Sequence, residues 1–191
     1  MREPDAVDPG PGAPARLVTE RLILRRWRPE DRDALFAMQS DPAVMEFLMP
    51  VPDRAASDAV ADRIAAHFAR FGFGLWVVEV PGVTPFAGYA GLVHVPYEEH
   101  FTPAIEIGWR FQRAYWGHGY ATEAARACLA YGFTRLGLGE IVAITVPANT
   151  RSRALMTRLG MQRDVAGDFD LPGIPAGHRL QRHVLYRLTR D

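Results

Sequence analysis

The chain has 191 residues, of which 48% are hydrophobic, and its 22 basic and 22 acidic side chains give a formal charge of zero. That length suits one domain with a sizeable core, and the charge balance argues against general nucleic-acid affinity or a polybasic membrane contact. All 22 basic residues are arginines, which excludes a GxxxxGK[ST] phosphate loop and any Schiff-base chemistry.

Residues 1–15 are rich in Pro and Gly and lack an apolar h-region, so they read as a flexible tail ahead of a domain at 16–191. Arg21 to Trp27 alternates basic and apolar residues and predicts a first strand. Pro29, Glu30 and Asp31 open a helix carrying Leu35, Phe36 and Met38. A second helix spans Ser57 to Phe71, with Val60, Ile64, Phe68 and Phe71 on one face and Gly72 as its stop. Leu75 to Val80 and Phe86 to Val95 form a predicted hairpin about Pro81-Gly82.

After a polar loop from Pro96 to Pro103, a strand is expected from Ala104 to Trp109, then a Gly turn and a helix from about Tyr120 to Leu136. Cys128 lies among alanines on that helix, where a buried, inert thiol is expected. Glu140 to Val146 is a continuous apolar run, the mark of a central strand covered on both faces. A short helix follows from Arg151 to Leu159, then a loop from Val165 to His178 and a last strand from Arg182 to Leu188. No run approaches the roughly 20 apolar residues that cross a bilayer, so a soluble cytoplasmic protein is expected. The element order is that of a mixed α/β (α+β) domain.

The most telling stretch is Trp116-Gly117-His118-Gly119-Tyr120-Ala121-Thr122, a Gly-punctuated turn between a strand and a helix N-terminus. Such a junction presents backbone N–H groups and the positive end of a helix dipole to an anion, typically a phosphate. A dinucleotide fingerprint would need Gly or Ala where Thr122 stands. A serine-hydrolase GxSxG elbow is absent. His94, His100 and His118 lack zinc-motif spacing, so no metal is expected.

Together with Asn149-Thr150-Arg151-Ser152 and Leu159-Gly160-Met161, this turn resembles the GCN5-related N-acetyltransferases, in particular their RimJ/RimL-like branch. The resemblance implies a central mixed, mostly antiparallel sheet of six to seven strands, splayed between strands 4 and 5 and flanked by about four helices. It implies acetyl-CoA as cosubstrate, bound through Trp109, Arg110, Phe111, Trp116, Gly117, His118, Gly119, Tyr120, Ala121, Thr122, Asn149 and Ser152. It also implies an amine acceptor, either a protein N-terminus or a small molecule, and is compatible with a homodimer. A non-catalytic acyl-CoA-binding module on the same fold is the alternative.

Many relatives place a tyrosine seven residues after the asparagine to protonate the departing thiolate; here Met156 stands there, and Ser152 is the candidate substitute. Glu106, a charge in an apolar strand, must face a polar cleft or find a partner. It is the candidate general base, with a salt bridge to Arg110 as its structural alternative and Asp164, Asp168 and Asp170 as secondary candidates. Arg113, Arg151 and Arg153 could meet the coenzyme's phosphates. The acceptor cleft is expected from Met45–Asp53, Val95–Pro103 and Val165–His178. Tyr97, Phe101 and Phe169 would give it apolar walls, and Glu98, Glu99, Asp168 and Asp170 a negative charge suited to a cationic amine.

Overall fold

The computed structural model describes residues 16–190, so the expected tail at 1–15 lies outside the described residues. Eight strands form one sheet: β1 (Arg16–Val18), β2 (Ile23–Arg25), β3 (Leu75–Val80), β4 (Thr84–His94), β5 (Ile105–Phe111), β6 (Glu140–Thr145), β7 (Gln162–Asp170) and β8 (Arg182–Thr189). Their spatial order is β1-β2-β3-β4-β5-β6-β8-β7. Five helices pack on it: α1 (Asp31–Gln39), α2 (Pro42–Met45), α3 (Arg54–Phe71), α4 (Tyr120–Thr134) and α5 (Thr150–Arg158).

The sheet therefore has one or two strands more than expected, and the edges account for this. Arg21 and Leu22 belong to a tight turn, closed where the Thr19 amide donates to the Leu22 carbonyl at 2.9 Å, which splits the first predicted strand into β1 and β2. At the other edge, the predicted Val165–His178 loop is strand as far as Asp170, because β7 pairs with β8. The short α2 was also unforeseen; Asp41 caps it by accepting from the Ala43 amide at 2.8 Å, with Pro42 at its first position. Elsewhere the hairpin, the Gly-terminated α3 and the fully buried Ile141, Val142 and Ala143 of β6 match the periodicity.

All neighbouring strands are antiparallel except β5 and β6, which run parallel and pair at a single position, Glu106 opposite Val142. Beyond that point the two strands part. The chain passes between them through α4, the crossover that a parallel pair requires. Side chains alternate across the sheet. On β5, Ile105, Ile107 and Phe111 join the core under α4, with Ala124, Ala125 and Cys128. Glu106, Gly108 and Arg110 face the other side, where Tyr89 packs with Leu35, Met38 and Val44.

Candidate active site

The parting of β5 from β6 leaves backbone groups without a strand partner. Gln112 N–H donates to the Ala87 carbonyl at 2.9 Å, and the antiparallel ladder alternates from there. Arg110 and Gly108 therefore spend their amides on β4, while Trp109 and Phe111 turn theirs into the gap. The Phe111 carbonyl is already taken by the Trp116 indole N–H at 2.8 Å. The N–H groups of Trp109 and Phe111 and the Trp109 carbonyl remain to meet a ligand.

A second set of donors lies at the start of α4. Gly119 occupies the N-cap with φ of 81°, a left-handed conformation that glycine adopts without steric cost, and no side chain among the described residues caps the helix. The first helical bond is donated by Glu123 N–H to the Gly119 carbonyl. The amides from Gly119 to Thr122 are thus left for an anion. Glu123, which would otherwise compete for them, is held aside: its carboxylate accepts from the Thr19 hydroxyl at 2.6 Å and from the Arg21 guanidinium at 2.7 Å. Although burial raises the Glu123 proton affinity, these bonds bring it below the usual carboxylate range.

Both sets open on one cavity of about 1770 Å³. It is lined by Glu106, Gly108, Trp109, Arg110, Phe111, Trp116, Gly117, Gly119, Tyr120, Ala121, Thr122, Asn149 and Ser152. Of the two catalytic candidates and the coenzyme-binding residues that the resemblance implied, only His118 stays off the wall. Its ring stacks on Tyr120 at 5.4 Å and its Nδ1 lies 2.9 Å from the Trp116 carbonyl. Among the described residues, no group of three His, Cys, Asp or Glu side chains could hold a metal ion.

Glu106 has no salt bridge to Arg110. The two side chains share a face of β5, but four residues of strand put their Cα atoms about 13 Å apart. Among the described residues Glu106 has no cation and no hydrogen-bond donor, and desolvation pushes its carboxyl up to about 8. The buried Tyr97 hydroxyl also lacks a partner among the described residues, and burial together with the nearby Glu106 and Glu99 raises the phenol above its usual range. Asp164, by contrast, is held below the usual range, chiefly by its hydrogen bond from Arg187 at 2.8 Å.

The start of α5 is fixed by Asn149, whose Oδ1 accepts from Ser152 N–H at 3.2 Å while its Nδ2 donates to Thr145 Oγ1 at 3.0 Å. The cap is Asn149's; the Ser152 hydroxyl has no protein partner among the described residues and lies on the cavity wall. Met156 is buried in the main core. Arg151 stacks over the Trp116 ring at 4.5 Å, whereas Arg153 is spent on the Pro147 carbonyl and Arg113 is not on the wall. Sequence reasoning missed Arg126 and Arg158, which do line the cavity. Arg126 sits four residues after Thr122 on α4, a helical spacing that could have exposed it.

The expected acidic acceptor wall does not form. Glu98, Glu99, Asp168 and Asp170 are absent from the cavity, because β7 turns Phe169 into a buried cluster and leaves the aspartates to arginines. Asp168 pairs with Arg163 at 2.6 Å, Asp170 with Arg182 at 3.3 Å and Glu99 with His100 at 3.6 Å. The cavity instead carries six arginines (Arg21, Arg63, Arg110, Arg126, Arg151, Arg158) against Glu20, Glu106 and Glu123. A basic cavity with two rows of free amides suits a polyanionic ligand.

Residues 21–162 match the model of the Acetyltransferase (GNAT) domain. The chain belongs to the GNAT acetyltransferase family. It is 34% identical over 150 residues to the Bacillus subtilis protein YkkB, covering 78% of this chain and 86% of that one. It is 32% identical over 186 residues to the FsC-acetyl coenzyme A-N(2)-transacetylase of Aspergillus fumigatus, covering 92% and 76%. The crystal structure of an acetyltransferase from Agrobacterium tumefaciens superposes with a TM-score of 0.74 at 27% identity, covering 92% of this chain and 94% of that one.

Proposed function

We propose that this acetyltransferase moves the acetyl group of acetyl-CoA directly to a primary amine within a ternary complex. The observation that carries the reading is the meeting, on one cavity, of the free amides of Trp109 and Phe111, the uncapped amides of Gly119 to Thr122, and two unpartnered side chains of opposite use, Glu106 and Ser152. The amides at α4 hold the diphosphate, with Arg126 and Arg158 adding charge. Trp109 and Phe111 hold the pantetheine arm and polarise the thioester carbonyl.

Glu106 takes the proton that the ammonium must lose before its nitrogen can attack; a carboxyl poised near 8 suits proton exchange with an amine at neutral to mildly basic pH. The neutral nitrogen then forms its bond to the carbonyl carbon and releases its second proton to solvent, the carbon–sulfur bond breaks, and its electron pair leaves with sulfur. Ser152 hands the thiolate a proton and recovers one from solvent. The name of the Aspergillus relative, which couples acetyl coenzyme A to a nitrogen acceptor, supports the donor and the class of acceptor. A cytoplasmic setting goes with this reading.

Calorimetry with acetyl-CoA, followed by thiol release over a panel of amines, tests it. Heat on binding and thiol release with at least one amine are expected. Binding without turnover of any amine leaves the alternative, a non-catalytic acyl-CoA-binding module on the same fold. Absence of binding removes both.

A further inference from the structure

Arg110 has no acidic partner among the described residues. Its guanidinium lies 5.4 Å from the centre of the Tyr89 ring, and its one hydrogen-bond contact is from Nη1 to Met45 Sδ at 3.7 Å. A thioether is a weak acceptor for a group with five N–H donors, and the others are left to the cavity that Arg110 lines. The coenzyme's phosphates do not explain this cation. They belong at α4, under the Ile107 and Phe111 face of β5, whereas Arg110 projects from the opposite face toward α2.

On that opposite face the order along β5 is acid, gap, cation. Glu106 and Arg110 stand two residues to either side of Gly108, which has no side chain. A Cβ there would meet nothing closer than Leu75 Cδ2 at 3.8 Å. The floor between the two charges is therefore open, directly beside the Trp109 amide that faces the thioester. Val44, Phe47 and Leu48 close the cavity beside Arg110 with apolar side chains. A carboxylate acceptor for protons at one end and a guanidinium at the other complement a molecule that carries both an ammonium and a carboxylate.

We infer that the acetyl acceptor is an amino carboxylate, its amine at Gly108 within reach of Glu106 and its carboxylate bound by Arg110. This rests on the acetyl-transfer reading above and narrows its acceptor. Arg110 thereby sets specificity, through a bidentate bond that a neutral or purely cationic amine cannot make.

The test uses the full chain with acetyl-CoA and matched acceptors: glycine, L-alanine, L-leucine, β-alanine and 4-aminobutyrate, each beside its amide and its decarboxylated amine. For at least one acid, kcat/KM is expected to exceed that of its amide by tenfold or more. Arg110→Gln should collapse that ratio toward one, chiefly through KM for the acid, and Arg110→Lys should restore part of it. The wild-type ratio needs no variant, so a poorly folding substitution leaves the test intact. Amides or amines turned over as fast as their acids, or no turnover of any acid, overturns the inference, as does an Arg110→Gln variant that loses acid and amide turnover equally. Failure of acetyl-CoA to bind in calorimetry marks instead the failure of the underlying acetyl-transfer reading.

Discussion

Replacing Glu106 with Gln removes one proton from the folded protein's titration, and the consequences for stability and for catalysis have opposite signs. Desolvation raises the carboxyl from its ordinary 4.5 to about 8. Between those two pH values the native state holds a proton that the unfolded chain has released, so stability falls as pH rises through that interval. The full contribution is present below about 4.5 and gone above about 8. At about 1.4 kcal/mol for each tenfold change in proton affinity, the unscreened loss is roughly 4–5 kcal/mol. Water in the cavity reaches part of the carboxyl, so a measured loss of about 2–4 kcal/mol is expected.

The Gln variant stays neutral throughout. Urea unfolding from pH 5 to pH 9 should therefore show a decline in the wild type that is smaller by that amount in the variant. Activity runs the other way. With an acceptor whose amine titrates well above 9, wild-type kcat/KM should climb with pH and bend near 8, while the variant should lose about 10²–10⁴-fold and the bend with it. Equal pH slopes of stability in the two proteins, together with a wild-type profile that is level from pH 7 to 9, would refute the reasoning.

Ser152→Ala removes the hydroxyl but keeps the amide that Asn149 caps, so stability should hold while kcat falls about 10–100-fold, read as thiol release at saturating acetyl-CoA. Asn149→Ala should cost about 0.5–2 kcal/mol in urea unfolding, because it leaves an α5 amide uncapped and Thr145 Oγ1 without its donor. Gly119→Ala forces a Cβ into a left-handed residue at about 1–2 kcal/mol and toward Arg21 Nη2 at 3.4 Å. Its main effect should be at least a tenfold weaker acetyl-CoA affinity by calorimetry.

The sequence by itself determined most of the elements and the Gly-turn junction at the head of α4. Local signals decide both: the apolar run of β6, the 3.6-residue spacing along α3, and glycines at 117 and 119 that supply the left-handed turn before α4. The same signals placed Asn149 at the head of α5, since capping depends on neighbours three residues apart. Tertiary structure decided what those residues meet. Nothing in the chain order shows that β8 inserts between β6 and β7, or that β7 continues through Asp170 and so gives Asp168 and Asp170 to arginines instead of a cleft. Nor does it show that Glu106 meets no cation among the described residues while Arg110, four residues on, turns to Tyr89 and Met45. Backbone propensity and capping act over a few residues and are written in sequence, whereas the partner of a charge is set by which strands the fold brings side by side.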